Sequence, residues 1–212
     1  EAKTAALQEL MAPSRYSTGL ATGSGTDQTI VVANSESPLF FEGAGKHSKL
    51  GELIGLAVMA AVKEALKKQS GLTPAQQHDL LRRLRRFGVT EETLWQRYKE
   101  EAGDDALIKA QFIAALEKMT AVPSLFPLGV LFIHLYDEYL WGLLEKEETW
   151  EAAETLLKEM AEVLFLSSKE SVSMQDDYMK SMEHLLVYAV IERVRETLEE
   201  TASKETHADV GA

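Results

Sequence analysis

Apolar positions fall into two regimes along this 212-residue chain. Before about residue 70 they are interrupted by glycines and hydroxyl residues. After it they recur at three- and four-residue spacing, the mark of amphipathic helices. Over residues 1–11, Ala6, Leu7, Leu10 and Met11 make an apolar helix face, ended by Pro13 and Ser14. Residues 28–33 hold the β-branched run Ile30-Val31-Val32, too short for a helix, and predict a buried strand. Asn34 to Pro38 reads as a turn and Leu39 to Phe41 as a second short strand. Leu50, Leu53, Ile54, Ala57, Val58, Ala61, Val62, Ala65 and Leu66 predict a long helix over about 49–68, capped by Ser48.

The remainder reads as helix throughout. Thr73-Pro74-Ala75-Gln76 is a capping box with Pro at the first helical position, predicting a helix to about Phe87, stopped by Gly88. Thr90 caps the next, with Glu91 and Glu92 in its first turn and Gly103 beyond its end. Asp104 opens another, broken by Pro123. Further helices are predicted over about 124–145, 149–166 and 173–200, and the polar stretch 201–212 predicts a disordered tail. The expected fold class is an α+β N-terminal fragment (a partial sheet plus helices) over 1–70, followed by an all-α helical module over 71–200. The first helix pattern is already under way at Glu1 with no cap before it, which predicts a truncated N-terminus.

Composition narrows this picture. A hydrophobic content of 45% and a charged content of 26% suit a soluble globular protein. The longest apolar stretch, Leu125 to Leu144, is broken by Pro127, His134, Asp137 and Glu138, so no membrane span is expected. The absence of cysteine excludes disulfides, thiolate metal sites and a cysteine nucleophile, and fits a reducing cytoplasm. Residues 1–70 carry 7 Lys and Arg against 7 Asp and Glu, so the whole net charge of −12 lies beyond them.

Two glycine-rich loops bracket the expected strand. The first is Ala21-Thr22-Gly23-Ser24-Gly25-Thr26-Asp27. The second is Gly43-Ala44-Gly45-Lys46-His47-Ser48-Lys49-Leu50-Gly51-Glu52, which feeds a helix N-terminus. Small residues let a backbone approach a ligand closely, and free N–H groups at a helix start favour an anionic or carbonyl oxygen.

These segments carry a resemblance. Residues 1–66 resemble the C-terminal part of the adenosylcobinamide amidohydrolase family, the CbiZ-type corrinoid-salvage enzymes. Glu1-Ala2-Lys3-Thr4-Ala5-Ala6-Leu7 is similar to the family's helix before the first loop. Residues 21–27 are similar to its ATGTGTD loop, and residues 45–55 to its GTHTKLGELIG loop and helix start. Ser24, Ser48 and Lys46 stand where the pattern has Thr, and Gly43 where it has an aromatic residue. The resemblance implies cleavage of the amide between a corrin-ring propionate and aminopropanol, releasing adenosylcobyric acid in cobalamin salvage. It makes the corrinoid a substrate, with no catalytic cofactor and no metal.

Amide hydrolysis needs a nucleophile or activated water, a proton shuttle and an oxyanion stabiliser. Ser24, Thr26, Asp27, His47 and Glu52 are the candidate catalytic residues, and either a hydroxyl or a water fills the role of nucleophile. Thr22, Gly23, Gly25, Gly45, Lys46, Ser48 and Lys49 are the candidate substrate contacts. Each has a plainer reading: Thr26 and Asp27 as turn formers, Glu52 as a dipole-compensating acid, Lys49 as a solvated lysine. His47 stands out because it sits in a glycine loop and not on an apolar face.

Later motifs favour structural readings. His134, Asp137 and Glu138 share a helix face, and His184 follows Glu183, but the paired Glu-x-x-His pattern of carboxylate metal sites is missing. Arg82, Arg83, Arg85 and Arg86 read as a solvated basic face, because a strongly acidic module argues against nucleic acid. Trp95, Tyr98, Trp141 and Trp150 read as core or docking residues. The alternative to hydrolysis is a helical protein-interaction or dimerisation module, binding a partner protein or a second copy, on an inactive amidohydrolase remnant.

Overall fold

The computed structural model describes residues 1–25, 28, 30–103, 107–166 and 174–209, with side chains to Thr197. The chain divides into two compact units, Glu1–His78 and Asp79–Ala212.

The first unit contains helices α1 (Ala2–Glu9) and α2 (Lys49–Ser70), which pack on each other. Its small core joins Leu7, Leu10, Ala12 and Leu72, with Ala21 and Leu66 against them. After α1 the chain doubles back: Ala21 N–H donates to the Ala12 carbonyl at 2.8 Å and Ser14 N–H to Gly19 at 2.9 Å. This return carries residues 22–25 beside the start of α1.

The expected partial sheet is absent: among the described residues the structure holds no strand, only an isolated bridge between Pro13 and Leu20. Ile30, Val31 and Val32 are 85–89% exposed, and Leu39, Phe40 and Phe41 are exposed as well. A strand needs a neighbour to satisfy its N–H and C=O groups, and no described segment pairs with these two. Their β-branched and aromatic composition expresses a propensity without a partner. The described part is therefore helical.

Helix α2 begins one residue after Ser48, whose Oγ accepts from Gly51 N–H at 3.1 Å. It ends at Gly71, left-handed at φ 71°. Its Val62 and Leu66 sides are half-buried, while Leu53, Ile54, Leu56 and Val58 remain exposed. The helix predicted from Pro74 to about Phe87 forms only over its second half, from Leu80; residues 74–77 are turns. Thr73 does cap, accepting from Gln76 N–H at 3.2 Å. Gln77 then turns inward, its Nε2 donating to the Leu10 and Met11 carbonyls at 2.7 and 3.0 Å. Those two buried bonds cost the helix its continuation.

The second unit is helical: α3 (Leu80–Leu84) with a 3₁₀ turn (Arg85–Phe87), α4 (Glu91–Glu101), α5 (Lys109–Thr120), α6 (Leu125–Leu140), α7 (Lys146–Val163) and α8 (Tyr178–Asp209). Its core includes Leu84, Leu94, Tyr98, Phe112, Phe132, Leu157, Met160 and Met182. Helix α3 starts only at Leu80 because Asp79 caps it, accepting from Arg82 N–H at 3.1 Å. Thr90 caps α4 through a reciprocal box with Thr93. Asp104 lies outside the described residues; α5 begins at Lys109, and Leu107 N–H donates to the Tyr98 hydroxyl at 3.0 Å. Gly129 lets α6 press against α3, since a Cβ there would lie 2.4 Å from Leu80 Cδ1. No single helix among the described residues is long and apolar enough to cross a membrane.

The basic run is not wholly solvated. Arg86 and Asp137 form a bidentate pair, Nη1 to Oδ1 at 2.8 Å, with side chains only 5% and 3% exposed. Arg85 does face solvent and pairs with Glu91. The buried pair locks the turn after α3 to α6. Removing one partner strands the other charge in the core, whereas apolar replacement of both does not. Arg86→Ala should cost about 3–5 kcal/mol in urea unfolding, and the double variant Arg86→Met/Asp137→Leu should recover most of that loss.

Candidate functional site

Helix α1 organises the first glycine loop. Thr4 sits in its first turn, and its Oγ1 donates to the Thr22 carbonyl at 2.7 Å. Lys3 Nζ donates to Ser24 Oγ. The loop is thus fastened at two points to one helical turn, and Gly25, at φ 78°, supplies the left-handed residue that turns the chain beyond them. Thr22, Gly23, Ser24 and Gly25 are all exposed. Thr26 and Asp27, two of the candidate catalytic residues, lie outside the described residues.

The second loop is built onto the start of α2. The Gly45 carbonyl accepts from Ser48 N–H at 2.8 Å and from Ser48 Oγ–H at 2.7 Å. Ser48 Oγ in turn accepts from Gly51 N–H, so this hydroxyl is committed to holding loop and helix together. Lys49 Nζ pairs with Glu52 Oε2 at 2.8 Å, both exposed. His47 and Lys46 are exposed between these anchored points. Lys46 Nζ lies 3.9 Å from Glu1 Oε1, which places the second loop near the same end of α1 that grips the first.

The structure therefore brings Ser24, Thr22, Lys46 and their loops to one end of α1. Sequence reasoning missed Lys3, Thr4 and Glu1, which make the connection. Their partners lie 18 to 45 positions away, and nothing local to a helix turn marks such contacts. Among the described residues no hydrogen bond joins His47 to Ser24.

The rival clusters of the second unit are structural. Asp137 is taken by Arg86. His134 Nε2 lies 3.4 Å from Glu138 Oε1 on an exposed helix face. His184 Nδ1 lies 3.5 Å from Glu101 Oε2, while Glu101 Oε1 accepts from Arg97 Nε at 2.7 Å. Among the described residues no group of three or more His, Asp or Glu side chains could hold a metal ion. Trp95 stacks on Tyr98 in the core, and Trp141 is half exposed.

Gly51 is the residue on which the second loop depends. A Cβ there would lie 2.1 Å from the Gly45 carbonyl oxygen and 2.7 Å from that of Ala44. Both obstacles are backbone, so the loop itself must move. Gly51→Ala should destabilise the first unit by about 1–3 kcal/mol and speed amide exchange at Ser48 and Gly51. Gly55→Ala, one turn on and in open space, should be neutral or stabilising in the same measurements.

The comparisons with known proteins concern this region. A model of the adenosylcobinamide amidohydrolase family (CbiZ) matches residues 1–74. An uncharacterized protein from Methanocaldococcus jannaschii is 47% identical over 70 residues. That match covers 32% of this chain and 27% of the relative, so the chain spans about a quarter of the relative's length. No solved structure matches the chain. Residues 1–74, with both glycine loops, are thus similar to the adenosylcobinamide amidohydrolase family.

Proposed function

We propose that the protein hydrolyses the amide joining a corrin-ring propionate to aminopropanol in adenosylcobinamide, releasing adenosylcobyric acid. The observation that supports this most is the attachment of both glycine loops to one end of α1, inside the segment that matches the family. Loops with exposed hydroxyl, imidazole and ammonium groups on small-residue backbone suit a bulky amide substrate.

In this reading an oxygen nucleophile, water or the hydroxyl of Ser24 or Thr26, adds to the amide carbonyl carbon; where it is a hydroxyl, water afterwards hydrolyses the ester that forms and releases the acid. Lys49 and N–H groups at the start of α2 receive the developing oxyanion. His47 carries a proton to the leaving nitrogen as the C–N bond breaks. Asp27 and Glu52 supply the carboxylates that orient or accept protons. Lys3 positions Ser24 by donating to its Oγ, which leaves the serine proton free to depart. Thr22, Gly23, Gly25, Gly45 and Lys46 line the approach, and Ser48 holds the loop that presents them. The corrinoid is the substrate, and the reaction requires only water besides.

The test uses the chain as it stands and a graft in which its residues 1–70 replace the matched segment of the Methanocaldococcus jannaschii relative. Each is incubated with adenosylcobinamide, and aminopropanol and adenosylcobyric acid are followed by mass spectrometry. Release by the graft is expected, with His47→Ala lowering turnover by about 10²–10⁴ and Ser24→Ala lowering it less if water is the nucleophile. A folded graft that releases nothing while the relative does, or a His47→Ala graft of unchanged rate, would overturn the assignment.

A further inference from the structure

The second unit contains a cavity of about 470 Å³ between α5, the end of α7 and α8. Its wall is apolar: Leu107, Met119, Val122, Val163, Val190 and Val194 are among its lining residues. The size is that of a small-molecule site, commonly about 300–1,000 Å³. Two further lining residues, Lys118 on α5 and Arg193 on α8, are cationic and exposed. No lining residue is acidic. That bias is set within a segment, residues 71–212, that carries 15 Lys and Arg against 27 Asp and Glu. Arg193 Nη1 lies 3.5 Å from the carboxylate of the exposed Glu196.

Phe165 adds an independent observation. Helix α7 ends in a complete Schellman turn: Phe165 N–H donates to the Glu162 carbonyl at 3.0 Å and Leu166 N–H to Ala161 at 2.9 Å. The central position of that turn needs a positive φ and favours glycine. Helix α6 ends in the same turn with Gly142 there, at φ 70°. At α7 a phenylalanine takes φ 59°, with 80% of its surface exposed, and lines the cavity. Met11 takes the same position at the end of α1, at φ 49°, but is half-buried. Phe165 combines the left-handed position with an exposed ring on the cavity, and backbone strain collects at functional sites.

We propose that this cavity binds a fatty acid, its aliphatic chain against the valines and Met119, its carboxylate between Lys118 and Arg193, and the Phe165 ring over its mouth. The apolar wall selects the chain by removing it from water. The cation pair selects the anionic head over a neutral or cationic one. This site stands apart from the reaction proposed for residues 1–74.

The full chain is titrated with dodecanoate, below its micelle concentration, by calorimetry, with ¹³C-methyl NMR of Met119 as the local readout. Saturable one-to-one binding with a shift at Met119 is expected, with dodecan-1-ol weaker and dodecylammonium and acetate not binding. Lys118→Gln/Arg193→Gln should weaken dodecanoate by at least about tenfold, as the loss of charge-assisted contacts predicts. Phe165→Gly should raise the melting temperature, because glycine suits the turn, and weaken binding at the same time. No saturable binding to the unmodified chain, dodecylammonium or dodecanol binding as well as dodecanoate, or an unchanged affinity in the charge variant would each overturn the proposal. The ligand series needs no variant, so a misfolded mutant leaves the test intact.

Discussion

The second glycine loop depends on one close approach, that of the Gly45 carbonyl to the α-carbon of Gly51. The distance leaves no room for a Cβ, so the loop lies directly on the first turn of α2. Ser48 then closes the arrangement, giving its proton to Gly45 and accepting one from Gly51. Residues 46 and 47 are held between these fixed points, and their side chains are presented outward instead of packing. A loop secured by backbone and one hydroxyl leaves the His47 imidazole exposed, while Lys46 and Lys49 reach the carboxylates of Glu1 and Glu52.

Part of this was legible in the chain. The glycine spacing, the Ser48 cap and the long helix after it are local signals, and each appears where local chemistry puts it. The contacts that join the loops are not local. Lys3 reaches Ser24 and Thr4 reaches the Thr22 carbonyl across a chain reversal that no periodicity reports. The same holds for Arg86 and Asp137, 51 positions apart. Read from spacing alone, Arg86 is one of four arginines on a solvated face; the fold buries it because an acid on α6 waits opposite.

Two misreadings share a cause. Ile30-Val31-Val32 has the composition of a strand, and Pro74 onward has the opening of a helix. Composition and caps state what a segment can become, while neighbours decide what it does become. The β-branched run has no ladder partner among the described residues and lies exposed. The capped segment has a competing partner, the carbonyls of Leu10 and Met11 at the left-handed end of α1, and Gln77 leaves the helix to satisfy them.

The cavity of the second unit is the clearest case of information that only the fold assembles. Its wall draws on α5, α7 and α8, and on each helix the contributing residues look like ordinary core positions. Only Phe165 breaks a local rule, by standing where α6 uses glycine. Helix α1 ends in the same turn with Met11, which is half-buried, whereas Phe165 is exposed and lines the cavity. It lines an apolar chamber whose wall also includes two cations, in an acidic unit. Burial of an apolar chain and neutralisation of one negative charge are together what such a surface can offer a ligand.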